Sequence, residues 1–286
     1  MLNALSFDIE DWFHLGRVES LSNRAEWASF PTIVERRTDE LLAICAEADV
    51  KATFFVVGWI AERYPEMVRR IVAEGHELGS HSYWHQNVHS MNEATFREDL
   101  QRSIRVLEEV SGVRVRAFRA PSFSIVPGCE WALDVLLDEG MEYDASLFPA
   151  RRHDGGYPCG REPHVFRDTP SGRELVVLPM SVARIGGRLF GFSGGGYLRL
   201  FPLWLIARHI RRLNSNDIPA VVYLHPRDIA PDCPAADMSR VDRWALYVGL
   251  DSAAEKLRRL LEMFQFGTCE TVLRERFGEA MKCSTS

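Results

Sequence analysis

Apolar and polar positions along the chain alternate between two periods. Residues 4–7 read as a short strand, after which Val34, Leu41, Leu42 and Cys45 recur at helical spacing behind Pro31 and a Thr32/Glu35 pair spaced like a capping box. The β-branched and aromatic run 52–57 predicts a strand. Ile60, Met67, Val68, Ile71 and Val72 mark a helical face that Pro65 restarts and Gly75 ends. The rhythm repeats: a strand at 76–80, a helix capped by Asn92 with Phe96, Leu100, Ile104 and Leu107 on one face, and Gly112 to close it. Residues 115–118 predict a strand, 127–139 a helix closed by Gly140, and 141–143 another strand. Four β-then-α units in the first half imply an α/β fold on a parallel sheet, closed into a barrel or open.

From about 148 to 197 the pattern becomes irregular and rich in Gly, Pro and Arg, with one clear strand at 175–178 and a Gly194-Gly195-Gly196 triplet. A loop region this long inside a compact domain usually builds a binding site or lid. The alternation then returns with a helix near 200–213, a strand at 220–224 and a helix over 252–264, where Ser252 and Glu255 repeat the capping-box spacing. No fixed-length repeat or linker divides the chain. The expectation is a single domain over 1–286, with a motif-bearing core at about 4–230 and a helical segment at about 250–280.

Composition narrows the classes. At 286 residues and 46% hydrophobic the chain fills a substantial core, and a net charge of -6 with only short Arg pairs offers no nucleic-acid or anionic-membrane surface. Cys45, Cys129, Cys159, Cys233, Cys269 and Cys283 are scattered without a CxxC pair, as in a reduced compartment. Asp8, Glu10 and Asp11 stand where a signal peptide would need apolar residues, and the apolar run near 198–207 is broken by Arg199 and Pro202. The expected location is the cytoplasm, without membrane insertion.

The candidate chemistry sits where strand-like runs give way to polar residues, as at the active face of parallel α/β enzymes. Asp8, Glu10 and Asp11 follow the first strand, and three crowded carboxylates call for a cation or an arginine among them. His81 and His85 follow the third strand at a separation that suits metal binding from a helix or from a loop. Arg119 in FRAPSF is a candidate partner for the acids, and His225 ends the apolar run AVVYL as a candidate general acid/base. His76, His164 and His209 read as structural, while His14, His89 and His153 stay open. Trp12-Phe13 and the segment 190–197 suit either sugar stacking or core packing.

Together FDIED, GSHSYWH, FRAPSF, YDASLFP and YLHP, in this order and spacing, resemble the motifs of the polysaccharide deacetylases, the NodB-homology or family-four carbohydrate esterases. DIEDWFH, GGGYLRL and YLHPRDI further resemble a subgroup associated with bacterial exopolysaccharide and O-antigen biosynthesis. The resemblance implies a distorted (β/α)7-type barrel holding one divalent metal, usually zinc, with cobalt or manganese as alternatives. It also implies N-deacetylation of an amino sugar in a glycan or in a lipid- or nucleotide-linked precursor. By the same resemblance Asp8 is the base, His81 and His85 are ligands, Arg119 orients Asp8, and His225 is the acid. Ser122 supplies an oxyanion N–H, and Asp144 supports the histidine. The family's usual adjacent aspartate pair is missing because Ile9 follows Asp8, so the third ligand is Glu10, on the same strand face as Asp8, or Asp11. Two other readings use the same barrel: a cyclic-amide or ureide hydrolase, and a non-catalytic glycan-binding protein.

Overall fold

The first strand, Asn3–Ile9 (β1), lies wholly buried, yet only part of it is apolar. Leu5, Phe7 and Ile9 pack outward into the main core beneath the helices, and strand alternation turns Ala4, Ser6 and Asp8 to the opposite face. That opposite face lines the inside of a curled sheet, where Ala4, Phe55, Ala117, Tyr143, Val176 and Tyr223 form a second, smaller core. In the computed structural model, which describes residues 1–15, 18, 21–152, 155–235 and 237–278, this sheet runs through most of the chain. His153 and Cys283 lie outside the described residues.

The elements that follow β1 are Val34–Glu47 (α1), Thr53–Val56 (β2), Gly58–Arg63 (α2), Pro65–Ala73 (α3), Glu77–Ser80 (β3) and Glu93–Ser111 (α4). Next come Ala117–Phe118 (β4), Trp131–Asp138 (α5), Tyr143–Asp144 (β5), His164–Phe166 (β6) and Leu175–Val177 (β7). Val182–Ile185 (β8) and Arg188–Gly191 (β9) precede Gly195–Leu200 (α6), Leu203–Asn214 (α7) and Val221–Leu224 (β10). Arg240–Tyr247 (α8), Leu250–Met263 (α9), Phe266–Gly267 (β11) and Cys269–Phe277 (α10) complete the order. The sheet runs β10-β1-β2-β3-β4-β5-β7-β6, with β11 added to the N-terminal end of β1. Every pairing in it is parallel except β6 with β7. The result is a mixed α/β half-barrel, and β8 and β9 form a separate hairpin. No helix among the described residues is long and apolar enough to cross a membrane.

Most expected elements are present, and the departures have local causes. Asn92 and Gly112 bound α4, the first through a reciprocal bond with Thr95 and the second in a left-handed conformation. The Thr32/Glu35 box does not form. The N-terminal amides of α1 are capped from a distance instead, because the Asp11 carboxylate accepts from Ile33 N at 3.2 Å and Val34 N at 3.3 Å. Ser252 does not cap either: α9 begins after Gly249, and the Ser252 hydroxyl donates back to the Gly249 carbonyl. The irregular stretch 148–197 holds β6, the β8–β9 hairpin and α6, each too short to print a period.

The N-terminal ends of the strands are tied by a carboxyl group. Glu77 accepts from Thr53 Oγ1 at 2.6 Å, Tyr143 Oη at 2.6 Å and Glu270 N at 3.1 Å. Burial pushes its carboxyl up to about 7, against the lowering pull of those three donors. Unfolded, the group loses its proton near 4.5, so between those values the native state holds the extra proton and stability falls as pH rises. Denaturant titrations from about pH 5 to about pH 8 are expected to show a smaller decline for Glu77→Gln than for the parent, and equal slopes would disprove the tie.

Candidate active site

The C-terminal ends of β1, β3, β4 and β10 open on one cleft of about 430 Å³, lined by Asp8, Glu10, His81, His85, Ser122 and His225 among others. The segment after β3 is a loop, not a helix, and it is held in place from two sides. Gly58 N and Trp59 N of α2 donate to the carbonyls of Ser82 and Tyr83, at 2.9 and 3.1 Å. The Asp99 carboxylate on α4 accepts from Tyr83 N and Trp84 N, at 2.7 and 3.0 Å. His85 sits at φ 52, in the left-handed region that a non-glycine residue occupies only when its surroundings impose it.

These anchors bring two imidazoles against one carboxylate. Ligand atoms of Glu10, His81 and His85 all lie within 4.8 Å of one another, and the Glu10 carboxylate contacts His85 Nε2 directly. His81 Nδ1 lies 2.7 Å from the Arg119 carbonyl, an acceptor only, so this nitrogen carries the proton and Nε2 keeps its lone pair. Burial pushes the His81 imidazole down to about 4, which keeps it neutral. Burial opposes ionisation of Glu10, but the neighbouring His85, His225 and His81 outweigh it and hold the carboxyl well below its usual range. One carboxylate and two imidazoles facing a cleft match the donor set of a three-ligand zinc-type site with open positions.

Asp11 is not part of this group. Its carboxylate accepts from Trp12 N at 2.8 Å as well as from the amides that open α1, so it is committed to structure. Burial pushes it up to about 6. Between the two expected ligands, the geometry gathers Glu10.

Asp8 meets the interior of the barrel through Arg119, which is fully buried. Arg119 Nη1 donates to Asp8 Oδ1 at 2.7 Å and to Ser6 Oγ at 2.8 Å, Nε donates to the Ala145 carbonyl, and the guanidinium lies 4.2 Å from the Phe55 ring centre. Gly79 makes room for this stack, since a Cβ there would stand 2.5 Å from Phe55. After β4 the chain turns through consecutive left-handed residues, Ser122 at φ 55 and Phe123 at φ 57, which places Ser122 on the cleft.

Asp144, expected beside the histidine acid, serves a different purpose. Its carboxylate accepts from Ser146 N at 2.9 Å and from the Ser146 hydroxyl, which in turn accepts from Ala120 N at 2.7 Å. It therefore braces the loop that carries Ser122. Burial pushes its carboxyl up to about 6.

The carboxylate that holds His225 belongs to Asp228. His225 Nδ1 and its backbone N–H both lie 2.9 Å from Asp228 Oδ2, leaving Nε2 at 3.8 Å from Asp8 and 3.8 Å from Glu10. Burial works to lower the imidazole, but the Asp228 bond and the charges of Glu10, Asp228 and Asp8 carry it up to about 9. Arg199, buried on α6, donates to Asp228 Oδ1 at 2.9 Å and to the carbonyls of Leu246 and Val248. The glycine triplet permits this approach: a Cβ on Gly195 would stand 1.8 Å from Asp228, and one on Gly194 2.5 Å from Tyr223. Sequence reasoning missed Asp228 and Arg199. The signal was there, since an acid three residues past a strand-ending histidine can reach back to it.

The remaining candidates separate by burial. Trp12 and Phe13 pack with Trp27, Phe30 and Trp59 in the core and offer no stacking face, whereas Tyr197 lines the cleft. His14 also lines it: Nδ1 accepts from Asp11 N at 3.1 Å, the ring stands 5.7 Å from His85, and Nε2 has no partner among the described residues.

Residues 22–127 match the family described as polysaccharide deacetylase, and residues 145–274 match a domain of unknown function, DUF3473. Among curated proteins, the chain is 34% identical over 98 residues to peptidoglycan-N-acetylglucosamine deacetylase of Bacillus cereus, covering 34% of this chain and 36% of that protein. It is 39% identical over 106 residues to chitooligosaccharide deacetylase of Sinorhizobium fredii, covering 35% and 44%. The chain thus matches less than half the length of each of these relatives. A solved structure assigned as a polysaccharide deacetylase from Mycobacterium smegmatis superposes with a TM-score of 0.63 at 24% identity, over 98% of this chain and 90% of the other.

Asp11→Ala is expected to cost about 1–2 kcal/mol of stability through the lost caps while leaving uptake of added zinc unchanged, and Glu10→Gln to reduce that uptake with stability kept. Elemental analysis beside thermal melting distinguishes them. Loss of zinc in the Asp11 variant alone would exchange the two roles.

Proposed function

We propose that this chain, which carries a polysaccharide deacetylase domain of the NodB-homology type, is a metal-dependent hydrolase that removes the N-acetyl group from an amino sugar of a bacterial surface polysaccharide or its precursor. The observation that carries the reading is the convergence, in one cleft, of a carboxylate paired to a buried arginine, a Glu/His/His cluster and a histidine backed by a second carboxylate. Those are the parts that amide hydrolysis requires: a base, an electrophile holder and an acid.

Glu10, His81 and His85 would hold the ion, zinc or a related divalent metal, whose chemistry is to polarise the acetyl carbonyl and acidify water. Asp8 takes the proton of the attacking water. Arg119 fixes the carboxylate so that Oδ2 faces the cleft, with Oδ1 committed to the guanidinium. The Ser122 N–H, presented by its left-handed turn, donates to the oxyanion as the carbonyl carbon becomes tetrahedral. His225, kept protonated by Asp228, delivers a proton from Nε2 to the departing nitrogen. Acetate and a free amine are the products, with water supplying the hydroxyl to one and, through the side chains, the proton to the other.

The fold alone does not separate this reading from ring-opening amide hydrolysis, because an allantoinase superposes almost as well, with a TM-score of 0.62 at 19% identity. The clustered Glu10, His81 and His85 favour the deacetylase.

Asp8→Asn in the zinc-loaded enzyme is expected to lower acetate release from N-acetylated sugars by about 10²-fold or more at unchanged metal content. Asp228→Asn, which keeps the shape but loses the charge behind His225, is expected to lower kcat about tenfold or more, again with zinc retained. Full turnover by the Asp8 variant would sink the assignment of the base.

A further inference from the structure

Beside the cleft lies a second cavity of about 740 Å³, within the range of ligand sites but with walls of a different kind. Leu189 and Phe190 of the β8–β9 hairpin form one side, and Phe201, Leu205 and Ile206 the other. Phe190 is 47% exposed and Ile185, at the hairpin end, 55%, so this apolar surface stands open to water.

The two cavities adjoin. Tyr197 and Arg152 line both. The Arg152 guanidinium lies 4.7 Å from the Phe148 ring centre and 5.2 Å from that of Phe123, and has no carboxylate partner among the described residues. Arg151 and Arg188 line the apolar cavity and likewise lack a carboxylate partner among the described residues. In a protein of net charge -6, whose other arginines often pair with acids, cations left unpaired on an apolar groove are complementary to an anion attached to an apolar group.

Resting on the deacetylase reading, we infer that the substrate is an amphiphile: an N-acetylated amino sugar joined through a phosphate or diphosphate to a long alkyl or isoprenyl chain. The order of the cavities gives the order of the molecule. The sugar lies over Asp8 and the Glu10, His81, His85 cluster, the phosphate at Arg152, and the chain along the groove between hairpin and helices. A nucleoside in place of the lipid would leave the aliphatic wall in water. A polymeric glycan would set most of its hydroxyls against the aliphatic and aromatic walls of Leu189, Phe190, Phe201, Leu205 and Ile206.

The test uses the zinc-loaded enzyme and N-acetylhexosamine 1-phosphates esterified with methyl, octyl or farnesyl chains, kept below their aggregation concentrations. Acetate release per unit enzyme and substrate is expected to rise about tenfold or more from methyl to farnesyl. Phe190→Glu combined with Ile185→Glu, both at exposed positions, is expected to flatten that rise while sparing turnover of the methyl ester. Arg152→Gln is expected to slow the farnesyl phosphate but not an uncharged farnesyl glycoside of the same sugar. Equal rates at every chain length, with the methyl ester turned over, would overturn the lipid assignment and leave the deacetylase reading intact. Faster turnover of a nucleotide-linked sugar would overturn it as well. So would a dimer that the double variant dissociates without any chain-length effect, which gives the groove to a second copy of this chain. No acetate from any substrate would remove the deacetylase reading, and this inference with it.

Discussion

The ion pair between Arg119 and Asp8 is the interaction on which the rest of the molecule turns. Both partners are buried inside the curl of the sheet, where an isolated charge would cost far more than one packed apolar side chain can return. The guanidinium is tolerated because Ser6, Ala145 and the Phe55 face surround it, and each of these comes from a different strand or strand end. Removing either charge would leave the other unpaired at a cost of about 3–5 kcal/mol, so the candidate site and the interior of the half-barrel are stabilised by the same contact.

A second layer sets the direction of the remaining groups. The histidine loop is fixed by backbone bonds to α2 and by Asp99, the Ser122 turn by Asp144 through Ser146, and His225 by Asp228 through Arg199. In each case a buried carboxylate serves its neighbours by accepting N–H or O–H bonds. Asp11 does the same at the start of α1. Asp8 and Glu10, at the C-terminal end of β1, line the cleft without such a bracing duty, which explains how so many acids coexist in a small volume without opposing one another.

Much of this was legible in the chain. The alternating β and α units, the strand-end position of Asp8, His81, Arg119 and His225, and the shared face of Asp8 and Glu10 follow from period and punctuation, because each depends on residues close in sequence. What was not legible depends on distance. The Asp11 carboxylate reaches amides some twenty residues away, which displaced the local Thr32/Glu35 cap. Asp144 and Asp228 are both acids near strand ends, and only the packing of α6 against the turn after β10 decides which of them backs the histidine. The glycine triplet stood in a stretch read only as a binding site or lid, and at Gly194 and Gly195 it is a tight seam where side chains would collide.

The bonds from Arg199 to the carbonyls of Leu246 and Val248 give the candidate site a long reach along the chain. The Glu10, His81, His85 cluster draws its side chains from the first 85 residues, and the Asp8–Arg119 pair reaches no farther than Ala145, whose carbonyl holds Arg119 Nε. His225 is braced from farther along, because Asp228 is held by Arg199 and Arg199 in turn by the carbonyls of Leu246 and Val248. Loosening of the C-terminal helices would therefore be felt first at His225, with the Glu10, His81, His85 cluster left in place.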